Sequence, residues 1–474
     1  MEPLLIGRKK EQELLRKCYE SNNPEFVVVY GRRRVGKTYL VQQTFNNNFD
    51  FHLTGIYKKG KKYQLQNFAN TLSTYSGQNL EIPHSWGEAF MQLRKYIETI
   101  NKDNVLIFID ELPWLDTAKG DLVASLEAFW NGWGSAQKKL KLIVCGSATS
   151  WIANKIFQNK GGLFNRDTMR IHLHPFTLKE TEQFCGSRNL MFTQYDIAQC
   201  HMIMGGIPYY LNKIEKGLSL AQNIDQLFFK RGCLLENEFY FLYNSLFSKP
   251  DNYIKVVELL AQRKHGYTMS EISSHIKMPI GGNLSKIIKD LESCDIITSM
   301  LVHGANRKET TYLLCDFYTL FYQQFIRDNN SGDMHYWETR QNSGETNAWR
   351  GHAFELLCLT HIEQIRAKLG ISGVAINVSA FDKKGTKEEK GAQIDLIIER
   401  QDNITNVCEI KFNEKEYEIK KSYSETLQHK LEVYKKYAPK KQSLFLTMIT
   451  AFGLKQNNYA GMVQNQLSLV DLFV

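Results

Sequence analysis

Gly31-Arg32-Arg33-Arg34-Val35-Gly36-Lys37-Thr38 is the stretch on which the reading of this chain turns. It has the G-x-x-x-x-G-K-[ST] spacing of a phosphate-cradling loop. Glycines let successive backbone N–H groups curl around an anion, and the dipole of the following helix adds to their field. Lys37 has the reach to meet β- and γ-phosphates, and the Thr38 hydroxyl is a hard oxygen ligand for Mg²⁺. The flanks agree. Phe26-Val-Val-Val-Tyr30 before the loop is the apolar run of a buried strand, and Thr38-Tyr39-Leu-Val-Gln-Gln-Thr-Phe45 after it reads as a helix. The expected nucleotide contacts are therefore Gly31, Arg32, Arg33, Arg34, Val35, Gly36, Lys37, Thr38 and Tyr39, with ATP and Mg²⁺ as cofactors. The three arginines read equally as a solvated loop or as DNA contacts.

A second apolar run, Asn104-Val-Leu-Ile-Phe-Ile-Asp110-Glu111, ends in two carboxylates. Ligands gather at the carboxyl ends of buried parallel strands. Asp110 is placed to hold Mg²⁺ and Glu111 to orient or deprotonate the attacking water. A third run, Lys141-Leu-Ile-Val-Cys-Gly146, leads to Ser147, which reads either as a γ-phosphate contact or as a helix cap. From about residue 24 to 175 strands and helices alternate, which is the α/β pattern of a doubly wound parallel sheet.

The bulk properties bound the rest. A chain of 474 residues is too long for one core. No stretch is apolar for the length of a membrane span, and the start is not a signal peptide. Nine scattered cysteines without a C-x-x-C pair point to reduced thiols and a cytoplasmic protein. A net charge of +9 permits nucleic-acid binding without requiring it.

Further motifs carry a family resemblance. Ile6-Gly7-Arg8-Lys-Lys-Glu-Gln-Glu-Leu14 resembles the N-terminal box of AAA+-type ATPases, which implies that Arg8 lies near the nucleotide. The tyrosine-initiated loop Tyr30–Thr38, the stretch Gly162-Leu-Phe-Asn-Arg166 with Ile171-His-Leu-His-Pro175, and Met204-Gly205-Gly206-Ile207-Pro208-Tyr209-Tyr210-Leu211 resemble the archaeal-type ATPase family over about residues 1–235. The resemblance implies ATP hydrolysis and a helical lid. It also nominates Arg166, with Arg170 as an alternative, as a γ-phosphate-contacting arginine, against the reading of a solvated side chain. His172 and His174 form H-x-H, read as structural for want of a third ligand.

Three amphipathic segments, 252–265, Ser270–Ile276 and Asn283–Cys294, precede two strands that flank the basic tip His303-Gly-Ala-Asn-Arg-Lys308. This order is that of a winged helix-turn-helix. Ser285, Lys286, Lys289, Arg307 and Lys308 are its candidate DNA contacts, and a protein-binding role is the other reading.

Near the far end, Gln393-Ile-Asp395-Leu-Ile-Ile398 and Val407-Cys-Glu409-Ile-Lys411-Phe412 form two strands of a hairpin. Alternation puts Glu409 and Lys411 on one face. Asp395 and Glu409 suit a hard cation, and Lys411 suits orienting water or stabilising developing charge. The D…E-x-K arrangement resembles the PD-(D/E)-x-K nuclease superfamily, although no proline precedes Asp395. The resemblance implies that Glu355, in Trp349-Arg-Gly-His-Ala-Phe-Glu355, is a further metal ligand. On a helix near the end, Gln428 and Lys430 read as DNA-facing or as solvated.

The expected organisation is a P-loop core at 1–175, a helical lid at 176–248, a winged helix with a connecting helix at 249–327, a linker at 328–345, and an α/β restriction-endonuclease-like domain at 346–474. The expected function is ATP hydrolysis coupled to a metal-dependent nuclease-like domain that cleaves or binds DNA. The alternative is an ATP-dependent switch whose nuclease-like domain is inactive. DNA and ATP are the expected partners, with no membrane, and oligomerisation is left open.

Overall fold

The computed structural model describes residues 5–474 except 119, 159–161, 248, 304–307, 330 and 386–389, and the side chains of 303 and 308 also lie outside it. The chain divides into two compact units, Met1–Pro175 with Ser245–Ser248, and Phe176–Asn244 with Lys249–Val474.

The first unit is built on five parallel strands, β1 (Glu25–Tyr30), β2 (Phe51–Thr54), β3 (Val105–Asp110), β4 (Leu140–Gly146) and β5 (Met169–His172). They lie in the order β2-β3-β4-β1-β5. β3 and β4 are buried along their whole length, which is why they read as unbroken apolar runs. Phe26, Val28, Ile107, Ile109, Leu142 and Val144 pack against helices that contribute Trp86, Phe90, Leu93, Leu126 and Trp130. The helix Trp86–Thr99 starts where the Ser85 hydroxyl accepts the Glu88 N–H at 3.1 Å. β2 is only four residues long and alternates in burial, so it left little mark on the sequence.

The second unit begins with helices. Its Gly205-Gly206-Ile207-Pro208 turn has a steric reason. Gly206 has φ +63°, and a Cβ there would come within 2.4 Å of the Phe176 carbonyl, whose own N–H donates to the Gly206 carbonyl at 2.8 Å.

Beyond residue 249 come the helices Asp251–Leu260, Met269–Ile276 and Gly282–Ser293, with β6 (Tyr267–Thr268) between the first two. Leu284, Ile287, Ile288 and Leu291 are the buried stripe of the last helix, as their spacing predicts. The hairpin β7 (Ile297–His303) and β8 (Lys308–Leu314) follows. A further set, β9 (Ile376–Lys383), β10 (Ala392–Arg400), β11 (Ile404–Lys411), β12 (Ser443–Thr450) and β13 (Asn465–Ser468), joins it in one sheet of order β13-β12-β11-β10-β9-β7-β8-β6. β7 pairs in parallel with β9 through Leu301–Ser379, Val302–Ala380 and His303–Phe381. Nothing in either segment's sequence announces that pairing, because both strands carry ordinary half-buried patterns.

The 328–345 stretch, expected as a linker, carries a helical turn at Tyr336–Arg340. Trp337 is buried there, with ring centroids 5.1 Å from Phe321, 5.2 Å from Phe325 and 5.9 Å from Trp349. The polar, glycine-bearing composition looked open, and one tryptophan suffices to dock it.

Candidate functional site

At the carboxyl ends of β1, β3 and β4 the structure gathers Lys37, Thr38, Asp110, Glu111 and Ser147. Gly31 leaves β1 at φ +141°, where a Cβ would lie 2.3 Å from the Leu173 carbonyl. Arg34 also has positive φ, so the loop holds one non-glycine residue in a conformation side chains disfavour. Lys37 is buried, and its ammonium donates to the Gly31 and Arg32 carbonyls at 3.0 and 2.8 Å. Thr38 donates its hydroxyl to both Asp110 oxygens at 3.1 and 2.9 Å. Hydroxyl and carboxylate thus meet as a pair of hard oxygen donors, a set that fits Mg²⁺.

Glu111 sits at φ 48°, and its carboxylate accepts the Ser147 backbone N–H at 3.1 Å and the Ser147 hydroxyl at 2.9 Å. Burial raises its pKa, Lys37 opposes the rise, and Asp110 adds to it. This settles what Ser147 does in the chain itself. The next short helix is N-capped by Ala148 without a side-chain bond, so Ser147 is a holder of Glu111 rather than a cap. The sequence also gave no sign of Gln64. Fully buried, it accepts the Ile56 N–H and donates to the carbonyls of Ile56 and Trp114 at 2.7 and 3.0 Å, bracing the segments after β2 and β3.

A family model of ATPase domains found predominantly in Archaea matches residues 5–214. Residues 5–214 are thus similar to an archaeal-type ATPase domain. An uncharacterized protein of Methanocaldococcus jannaschii is 24% identical over 445 residues, which is 92% of this chain and 94% of that protein. An uncharacterized ATP-binding protein of the same organism is 39% identical over 44 residues, 9% of this chain and 75% of its own length. Among solved structures, the Walker-type ATPase of Pyrococcus abyssi resembles it with a TM-score of 0.49 at 16% identity, covering 68% of this chain and 96% of that one. No helix among the described residues is long and apolar enough to cross a membrane.

Around the loop of the ATPase domain, Arg32 and Val35 are buried, Arg33 lies over the Trp114 ring at 5.8 Å, and Tyr39 is exposed. Arg8 is buried and donates to the His174 carbonyl at 2.7 Å. Both candidate arginines are exposed, and Arg170 is engaged, paired with Asp167 and 4.1 Å over the Phe157 ring. The H-x-H histidines form part of an aromatic stack, with Tyr30 parallel to His172 at 4.6 Å and His172 3.9 Å from His174.

The second unit holds a separate acidic centre. Glu355 comes from the helix Gly344–Thr360, Asp395 from β10, and Glu409 and Lys411 from β11. Lys411 donates to Glu409 Oε1 at 2.7 Å, so the two share a face as alternation predicts. Two groups from the helix Lys421–Lys435 join them: Tyr423 donates to the same oxygen at 2.6 Å and Lys430 donates to Oε2 at 2.6 Å. Burial would raise the Glu409 pKa, and the Lys411 and Lys430 ammoniums outweigh it and hold it down. Glu355 has a different neighbour. It accepts a hydrogen bond from Lys264, whose ammonium also lies 3.7 Å from Asp395 Oδ1. Burial, then the nearby Asp395, pushes the Glu355 carboxyl up to about 8. Among the described residues, Glu355, Asp395 and Glu409 do not bring ligand oxygens all within 4.8 Å of one another. Lys264 and Tyr423 were missed in the sequence, since neither lies in the D…E-x-K pattern.

Of the candidate DNA contacts, Ser285, Lys286 and Lys289 are exposed on the helix Gly282–Ser293. Arg307 and the side chain of Lys308 lie outside the described residues.

Proposed function

We propose that this ATPase domain controls a metal-dependent, nuclease-like domain that acts on DNA. The ATPase part rests on the family match together with the convergence of Lys37, Thr38, Asp110 and Glu111. On this reading Lys37 leaves its loop carbonyls for the phosphates, Thr38 and Asp110 hold Mg²⁺, and Glu111, held by Ser147, aligns water with the γ-phosphate. Arg166, with Arg170 as the alternative, would act on the phosphate of the same or a second copy.

The observation that carries the nuclease-like reading is the gathering of Glu355, Asp395, Glu409 and Lys411 by a helix–three strands–helix–strand order. β10 runs antiparallel to both β9 and β11, and β12 runs parallel to β11 after the helix Lys421–Lys435. Glu355, Asp395 and Glu409 are the oxygen donors that would hold a divalent cation, which would polarise a phosphodiester. Lys411 would orient water or stabilise the developing charge. The helices and hairpin of 249–314 read as a winged helix, with Ser285, Lys286 and Lys289 facing phosphates.

A second reading, an ATP-dependent switch with a silent nuclease-like domain, is favoured by one observation: each carboxylate of the centre is engaged by an ammonium of the chain. Plasmid nicking with Mg²⁺ or Mn²⁺ separates the two. Wild type is expected to nick, while Lys411→Ala and Glu409→Ala lose at least about a hundredfold of the rate. Equal behaviour of all three proteins, each with an intact thermal melt, leaves the switch.

A further inference from the structure

The acidic centre contains three carboxylates and three ammonium groups, and one of the three ammoniums is out of place for the chemistry proposed above. Lys411 and Lys430 reach Glu409 from β11 and from the neighbouring helix, elements of the C-terminal part itself. Lys264 instead comes from the turn between the helix Asp251–Leu260 and β6, in the three-helix module. Its ammonium is hydrogen-bonded to Glu355 and stands 3.7 Å from Asp395. The next residue, His265, meets the Gln393 side chain on β10, so the turn is engaged with β10 and with the helix of Glu355.

Space sharpens the point. The cavity lined by Lys264, His265, His352, Glu355 and Asp395 together with five leucine and methionine side chains measures about 30 Å³, room for about a water or two. A divalent ion takes six or more oxygens and keeps several waters when its protein ligands are few. Such an ion would compete with the ammonium for Glu355 and Asp395. The Lys264 side chain is 34% exposed, so it has a way out to solvent. The module need not move with it, because the β7–β9 ladder ties the two parts together.

We infer that Lys264 is a resident cation of the acidic centre: its ammonium occupies Glu355 and Asp395 in place of a divalent ion and sets the concentration at which such an ion enters. This rests on the proposed use of the centre for its biological meaning, but the competition itself requires only the carboxylates and the lysine. A ligand that draws the ammonium outward, such as a nucleic-acid phosphate bound at the three-helix module, opens the centre. Nucleic-acid binding and cation loading then become one event.

The test is a Mn²⁺ titration of the full-length, nucleotide-free protein, followed by calorimetry and by the electron paramagnetic resonance of free Mn²⁺. Lys264→Met keeps the length of the side chain and removes its charge, and it is expected to bind Mn²⁺ at least about tenfold more tightly than wild type. Lys264→Arg retains the charge and is expected to stay near wild type. Adding Asp395→Asn to Lys264→Met is expected to abolish the gain. Binding by Lys264→Met no tighter than wild type overturns the inference. If Lys264→Met or a second variant, Lys264→Gln, is less stable, Mn²⁺ must raise its Tm by more than it raises that of wild type, and an equal rise overturns the inference. Failure of the nuclease reading looks different. Tighter Mn²⁺ binding without nicking by any variant removes that reading and keeps the resident cation. Nicking with unchanged Mn²⁺ affinity does the reverse.

Discussion

Two lysines, one in each unit, show how the same ammonium can be held for different ends. Lys37 rests on backbone carbonyls of its own loop, Gly31 and Arg32. Those are neutral acceptors, which on the proposed reading the lysine would give up for a phosphate that carries formal charge. Lys264 rests on a buried carboxylate with a second one 3.7 Å away. Removing that charge leaves two acids facing each other in a site with little water, so release needs a competing cation or an outside anion. The phosphate-loop lysine rests on neutral acceptors, and the acidic centre already holds ammonium groups on its acids.

The largest effect that bears on this contrast lies at the phosphate loop. Glu111→Gln is expected to lower ATP turnover by about 10²- to 10⁴-fold while ATP binding persists, measured by phosphate release and nucleotide titration. Retained turnover would mean that the Ser147-held carboxylate is not the base.

Acid should weaken the second unit through a neutral buried histidine. His361 donates Nδ1–H to the Leu357 carbonyl and accepts the Leu178 N–H at Nε2, both at 3.0 Å, an arrangement that only the neutral ring satisfies. Burial depresses its pKa to about 4. The folded value lies below the unfolded one of about 6.5, so the unfolded chain binds the extra proton first. The stability that His361 contributes is present above pH 6.5 and is lost as pH falls toward 4, by about 3 kcal/mol. Chemical denaturation at pH 7 and pH 4.5 checks this, and His361→Gln should flatten the slope. An unchanged slope would place the acid sensitivity elsewhere.

The smallest effect is a control in the first unit. Ser85→Ala removes the cap of the helix Trp86–Thr99 and is expected to cost about 1 kcal/mol by denaturant melt, with ATP turnover unchanged. A fall in turnover would show that the phosphate-loop site depends on a remote helix end.

The two centres were unequally legible in the sequence. The cluster of Lys37, Thr38, Asp110 and Glu111 could be read almost residue by residue, because it is local: a loop of eight residues, and a strand whose last residue and its neighbour are acids. What escaped was the bracing. Ser147 gave two readings, and Gln64 looked like any helical glutamine. In the acidic centre the pair Glu409 and Lys411 was legible from alternation, and Glu355 only through resemblance. Lys264 converges on it from a turn far away in the chain, and Tyr423 and Lys430 from one face of a later helix, and no spacing links either segment to the strands.

By itself the sequence determined the apolar strands, the glycine that must turn tightly at position 31, the amphipathic stripe of Leu284, Ile287, Ile288 and Leu291, and the types of residue available for chemistry. Each follows from short-range sterics or from burying one face of one element. The tertiary structure alone decided that β7 joins β9 and that Glu409 has three donors. It also decided that a lysine from a distant turn stands between Glu355 and Asp395. Those are long-range pairings chosen by the packing of whole elements, and the free energy that selects them belongs to the assembled sheet.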